Sequence, residues 1–431
     1  MSLAFLLCLV VLFVIAAMGA PIAYAIIVGS FVYLAASGQS IGVAGKVLVD
    51  GLFQSFILLA VPLFIVAANI MNAGTISDRL LRFCIALVGR FRGGLGHVNI
   101  LASLVFSGMS GSAVADAAGI GKIIIEMMTK SGHYTRGYAA AITAASATIG
   151  PIIPPSIPMV LYALVSNSSI GFLFLGGILP GLLIGLVLML LNGWISHRRK
   201  FALEEPIALA EVPKLTFEAF PALLMPAILL YGIYGGVTTP TEAAAVAALY
   251  ALILSAVFYR ALKLSTFYSI LVSSARSSAS VGIVIGGALI LNYIVASENI
   301  PNLVAQALVG LDVSPLTFLL SVNVLILLLG CVLDASTIIL VIIPLFLPAC
   351  RELGIDLVHF GVVAVVNCMI GLITPPYGIL LFVINAVTGI PLVEIIREIW
   401  LFLAVLVFAL LLLILFPGIT LFLPQLFGYA G

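Results

Sequence analysis

Long apolar runs separated by short polar loops fill most of the chain. The pattern predicts membrane-spanning helices near 3–18, 21–37, 50–75, 134–166, 171–195, 217–234, 240–259, 267–296, 358–387 and 393–424. A hydrocarbon core about 30 Å thick takes about 20 apolar residues as helix, and helices and closed barrels alone satisfy every backbone polar group in lipid. Ten spans are therefore expected. Two further stretches, 97–128 and 316–350, carry Gly, Ser, Asp and Pro at their centres. They are predicted to enter and leave on one side, as re-entrant hairpins. The first apolar run lacks a basic flank and a second run follows at once, so it reads as a retained helix rather than a signal peptide.

Internal repetition organises these elements. Gly150-Pro151-Ile152-Ile153-Pro154-Pro155 superposes on Gly371-Leu372-Ile373-Thr374-Pro375-Pro376 at a shift of 221 residues, and the same shift carries the polar cluster 107–112 to just ahead of Asp334-Ala335-Ser336-Thr337. The chain divides into a first repeat, 1–210, and a second, 211–431. Five spans per half is an odd number, so the second repeat is expected to be inverted, which is a mark of secondary transporters.

Charge placement tests the parity. With the loop Ser196-His197-Arg198-Arg199-Lys200 inside the cell, Arg79, Arg82, Arg90, Arg92, Lys130, Arg136, Arg260 and Lys263 also fall inside, as the positive-inside rule requires. The segment 77–95 has four arginines, whereas its counterpart 297–313 has Glu298 and Asp312 and no basic residue. Opposite faces account for the contrast, and both chain ends then lie outside. Composition agrees with a lipid solvent, since 64% of residues are hydrophobic and 8% charged, against about 25% charged in soluble domains. A net charge of +1 gives no reason to expect nucleic acid. The five cysteines show no metal spacing, and His97, His133, His197 and His359 form no ligand pair, so no transition-metal site is expected.

The chemistry centres on the two Gly and diproline interruptions. Proline lacks an N–H and clashes with the carbonyl four residues back. Pro154 and Pro155 should free the carbonyls of Gly150 and Pro151, and Pro375 and Pro376 those of Gly371 and Leu372. An unpaired carbonyl in hydrocarbon costs several kcal/mol unless something binds it, and a dehydrated cation is a suitable partner. Ser107, Ser110 and Ser112 at the first hairpin tip, and Gly330, Asp334, Ser336 and Thr337 at the second, opposite Thr374, add hard oxygens that suit sodium. Two or more sodium ions are expected. Asp334 is an intramembrane carboxylate, functional by default, and also fits an N-cap. Asp116 either faces ligand or pairs with Lys122 or an arginine. Helix N-termini converging between the tips favour an anion, with Ser112, Asp116, Ser156, Asp334 and Tyr377 placed to touch it. Tyr377 fits a packing ring equally well. Arg276 reads as a snorkelling or interface residue, and Thr239-Pro240-Thr241-Glu242 as a capping box.

Taken together, Gly150 to Ser156, the Thr238-Thr239-Pro240-Thr241-Glu242-Ala243 motif, the Gly330-Cys331-Val332-Leu333-Asp334 turn and Ile373-Thr374-Pro375-Pro376-Tyr377-Gly378 resemble the large membrane subunit of tripartite ATP-independent periplasmic (TRAP) transporters, over essentially the whole chain. The resemblance implies an all-α, inverted-repeat, ion-transporter-superfamily fold of the elevator type in a bacterial inner membrane, with scaffold helices at 1–95 and 211–313 and transport helices with a hairpin at 96–210 and 314–431. It implies sodium sites at the hairpin tips and adjacent breaks, and sodium-coupled import of a small organic acid such as a C4-dicarboxylate or sialic acid. Two partners follow from it: a small four-span membrane subunit and a periplasmic substrate-binding protein. Some members fuse the small subunit to the large one. No such extension stands here, so a separate chain is expected.

Two other readings compete. A membrane enzyme acting on lipid phosphates would need clustered acidic ligands or a His and carboxylate pair within the membrane, and the carboxylates are too dispersed for that. An uncoupled anion channel or a stand-alone sodium/carboxylate symporter of the same fold would differ from the tripartite subunit in needing no partner chains.

Overall fold

Two kinds of helix separate by how much of their surface the chain itself covers. In the computed structural model, which describes residues 2–54, 56–72, 75–203, 209–303 and 313–431, every described element is helical. Arg136–Ala147 is buried at every position after its first residue, and Leu357–Gly371 at every position after its own. A helix covered all round lies at the centre of its domain. Val212–Tyr234, by contrast, buries only Leu215, Ala219, Ala222, Met225 and Leu229, and Phe217, Phe220 and Tyr231 face outward. Such a helix leaves its other side uncovered by the chain.

The central pair are the first limbs of the two interrupted spans. Arg136–Ala147 is followed by a turn and Ile157–Ser166, and Leu357–Gly371 by a turn and Ile379–Thr388. Around them stand Ile170–Arg198 and Leu392–Leu415, and the two hairpins. The first hairpin enters as Gly94–Ser110 and leaves as Ala113–Asp116, a π-helical turn Ala117–Gly121, and Lys122–Lys130. The second enters as Pro315–Gly330 and leaves as Ala335–Thr337, a π turn Ile338–Ile342, a short 3-10 turn and Leu347–Glu352. The π turns coincide at the shift of 221 residues, as do the Pro154–Pro155 and Pro375–Pro376 bonds, both cis.

The shift also relates contacts. Arg199 lies over the Tyr138 ring at 5.5 Å and forks onto Glu398 at 3.0 and 2.8 Å. The corresponding positions in the second half are Thr420 and His359, joined by a 2.7 Å hydrogen bond. His359 is thus a buried packing partner of the helix Gly418–Leu426. Ile157–Ser166 packs on the π turn of the second hairpin, and Ile379–Thr388 on that of the first. Such reciprocity is what a two-fold relation between halves produces.

The outer shell pairs Leu3–Ala17 with Ile22–Ala36, Ile22–Ala36 with Leu264–Ser297, Ala60–Asn72 with Pro240–Ile253, and Thr75–Val88 with Val212–Tyr234. Thr239 opens Pro240–Ile253 with the expected capping box, its amide donating to Glu242 at 2.7 Å and its Oγ accepting from the Glu242 amide at 3.3 Å.

Five of these helices are long and apolar enough to cross a bilayer singly, and a sixth crossing is available if the bent pair around residue 55 counts as one. The remaining apolar helices are shorter, because glycine, proline and polar residues divide the runs that hydropathy alone joins. The structure also adds Thr75–Val88, which the expected spans omit. Its Asp78, Arg79 and Arg82 lower its hydropathy, while Ile76, Leu80, Leu81 and Cys84 repeat on one face and are buried. Glu298 of the acidic counterpart segment is described, and Asp312 lies outside the described residues.

Candidate ion and substrate site

Each hairpin tip is seated on the interruption of its own half. At the first, Gly111 takes φ +59° and a Cβ there would stand 2.5 Å from the Pro155 carbonyl oxygen. A Cβ on Gly150 would likewise stand 2.3 Å from Asp116 Oδ2. At the second, Gly330 and Gly371 meet backbone to backbone, and the Gly378 amide donates to the Cys331 carbonyl at 3.4 Å. Only residues without a side chain allow main chains this close.

The carbonyls do not behave as proline chemistry alone predicts. The Gly150 carbonyl accepts no hydrogen bond among the described residues, as expected. The Pro151 carbonyl, expected to be free, accepts from the Ser156 hydroxyl, and that same hydroxyl accepts the Met159 amide at 3.2 Å. Ser156 therefore acts as N-cap and bridge, and its hydroxyl hydrogen is already committed to the chain. In the second half the bridge is absent because Tyr377 takes the place of Ser156. The Leu380 amide goes directly to the Leu372 carbonyl at 3.0 Å, and the Thr374 amide to that of Gly371 at 3.0 Å. The expectation of unpaired carbonyls is thus corrected for Pro151, Gly371 and Leu372: Ser156 and Leu380 beyond the prolines, and Thr374 just before them, supply the missing donors. Replacing Ser156 with alanine should leave a buried N–H and C=O without that bridge, at a cost of about 1–3 kcal/mol. A lowered midpoint in thermal unfolding of the purified protein would register the loss.

The remaining oxygens fall into distinct environments. Ser107 is buried and donates to the Leu104 carbonyl at 2.6 Å, and Ser112 caps the outgoing arm, accepting from the Ala115 amide at 3.4 Å. Ser110 donates to Asp116 Oδ1 at 2.5 Å. Asp116 is buried, and among the described residues it forms no ion pair with Lys122 or any arginine and its Oδ2 has no hydrogen-bond partner. The ion-pair alternative is therefore set aside, since Ser110 is the polar group within reach. Asp334 is half-buried and caps its arm, accepting from the Thr337 amide at 3.1 Å and the Thr337 hydroxyl at 2.5 Å. Ser336 is half-buried, and Thr374 is buried and donates to the Ile370 carbonyl at 2.8 Å. Tyr377 is 51% exposed and leans on Phe382 with ring centroids 5.1 Å apart. Arg276 is exposed on Leu264–Ser297, a helix of the outer shell.

Sequence reasoning missed a second set of buried polar groups, one turn before each interruption. Ser146 donates to Asn99 Oδ1 at 3.1 Å, and Asn99 donates to Thr143 at 2.6 Å. At the equivalent position Asn367 donates to the Asn323 carbonyl and Oδ1 at 2.6 and 2.8 Å, and its own Oδ1 is buried without a partner. Ser146 and Asn367 each stand four residues before the glycine of their interruption, at the shift of 221. That coincidence, inside otherwise apolar runs, is the signal that marks them.

Comparison with known proteins follows this geometry. Residues 9–419 match the model of the tripartite ATP-independent periplasmic transporter DctM component. This chain belongs to the DctM family of TRAP transporters. Among similar proteins, the Vibrio cholerae sialic acid TRAP transporter large permease protein SiaM is 41% identical over 95% of this chain and 96% of that protein. The Pseudomonas aeruginosa C4-dicarboxylate TRAP transporter large permease protein DctM is 39% identical over 87% and 88%. The Haemophilus influenzae sialic acid TRAP transporter permease protein SiaT is 37% identical over 98% of this chain and 68% of that protein. Among solved structures, the Alcanivorax borkumensis YdaH transporter, described as having an unusual topology, superposes with a TM-score of 0.61 at 16% identity, covering 84% of this chain and 85% of that one. The likeness to YdaH shows the fold. The DctM-family chain is thus a membrane permease component, consistent with its apolar helices.

Proposed function

We propose that this DctM-family permease imports a small organic acid across the bacterial inner membrane, coupled to sodium, as the large subunit of a complex with a small four-span subunit and a periplasmic substrate-binding protein. The observation that carries the coupling is Asp116: a buried carboxylate whose Oδ2 has no partner, pressed against a glycine whose carbonyl accepts no hydrogen bond. A charge buried without a counter-charge is costly, and a dehydrated cation among hard oxygens removes that cost. Asp116, Ser110 and Gly150 form the core of one sodium site in this reading, with Ser107 and Ser112 around it. The second gathers Asp334, Ser336, Thr337, Gly330 and Thr374, with the free Asn367 oxygen one turn below. The acid lies between the tips, near Ser112, Ser156, Asp334 and Tyr377.

The 221-residue correspondences support two inverted halves, 1–210 and 211–431, ten crossings built partly from broken helices, and an elevator motion of the covered centre against the lipid-facing shell. The relatives' names cover sialic acid, C4-dicarboxylates and 2,3-diketo-L-gulonate, so a carboxylate is the shared chemistry. Each net charge carried inward gains about 2.3 kcal/mol per 100 mV. Reconstitution with both partners in liposomes tests the reading. Uptake of labelled sialic acid or succinate should require an inward sodium gradient, and uptake of the same size without sodium would overturn it.

A further inference from the structure

A cavity of about 550 Å³ opens at the seam between the two halves, where the outgoing arm of the first hairpin meets the C-terminal end of Ile379–Thr388. Lys122, Glu126 and Lys130 project into it from the arm, Arg136 from the start of the first broken helix, and residues 387–390 close the far side. Glu126 and Lys130 pair at 3.8 Å, and neither Lys122 nor Arg136 forms an ion pair among the described residues. The cavity therefore carries two uncompensated positive charges.

The positive-inside rule covers Lys130 and Arg136, and Lys122 lies deeper along the arm. Lys122 stands eight positions before Lys130, about 12 Å further along the arm at 1.5 Å per residue. Lys122 also begins where the π turn Ala117–Gly121 ends, and Asp116 sits at the other end of that turn. The turn packs on Ile379–Thr388, the helix whose C-terminal end closes the cavity.

We propose that this cavity is a cytoplasmic release vestibule, a weak subsite where Lys122 and Arg136 hold the carboxylate of the transported acid after it leaves the tips. The proposal rests on the transport reading above. Carbonyls at the end of Ile379–Thr388 carry partial negative charge, which keeps the anion's hold loose, as a passage site requires.

The test uses the complete complex in liposomes, with labelled sialic acid and labelled succinate as probes, comparing wild type with Lys122→Gln, Arg136→Gln and the double variant. Exchange against substrate loaded inside reads the inner face, and sodium-driven uptake reads the outer one. The double variant should raise the internal concentration for half-maximal exchange about tenfold, with the external half-saturation and sodium dependence unchanged. Lys122→Arg and Arg136→Lys should restore wild-type exchange, which separates charge from misfolding. An unchanged internal half-saturation in the double variant overturns the proposal. So does an effect present only in vesicles containing phosphatidylglycerol, which would make the bound anion a lipid phosphate. Loss of sodium dependence in the wild type would instead remove the transport reading itself.

Discussion

Gly371→Ala is expected to reduce sodium-driven uptake by about 10–100-fold, the equivalent of the roughly 1–3 kcal/mol that overpacking costs. A Cβ at this position would stand 2.7 Å from Gly330 Cα and 2.9 Å from its carbonyl carbon. Both neighbours are main chain, so no rotamer change relieves the contact, and the second hairpin must lift from its seat. The 3.4 Å bond from the Gly378 amide to Cys331 is the first to go. Gly282→Ala is the matched control. Gly282 lies inside Leu264–Ser297 with open space around a Cβ, and alanine is the better helix former there by about 1 kcal/mol. Uptake by reconstituted complex and thermal unfolding in detergent measure both. Full activity in Gly371→Ala would show that the tip need not sit on the interruption.

Asp116→Asn is expected to raise the sodium concentration for half-maximal uptake by at least tenfold. Asparagine keeps the shape and an acceptor for Ser110 but removes the charge. At an effective dielectric constant of about 20, a unit charge 4 Å from a cation contributes about 4 kcal/mol, so even a partial loss is measurable. The amide also brings an N–H beside Gly150, able to occupy the carbonyl that the wild type leaves open. Substrate half-saturation at saturating sodium should change far less. A variant with wild-type sodium affinity would remove Asp116 from the ion site.

The two interruptions were legible in the sequence because proline's effect is local: a missing N–H and a ring clash act within four residues, whatever surrounds them. The repeat was legible for a related reason. Gly, Ile and two prolines recur at one spacing, and the π turns, the diproline bonds and the Tyr138–Arg199 and His359–Thr420 pairs all obey it. The capping roles of Asp334 and Thr239 could likewise be read from residue type and position. Apolar length was a poorer guide, since hydropathy sums over a run and passes through a break without registering it. It also passed over Thr75–Val88, whose charges mask a buried apolar face.

What only the folded molecule decided is which polar atoms find partners. Whether the Pro151 carbonyl stays open depends on how the chain turns after the break, and Ser156 closes it while Tyr377, at the same place in the other half, swings outward. The seating of Gly330 on Gly371 joins residues from different helices. The bare oxygens of Asp116 and Asn367 are defined by the absence of a neighbour in three dimensions. Hydrogen-bond satisfaction is a property of packing, so a linear pattern marks where oxygens will be freed and the tertiary structure selects those that stay free.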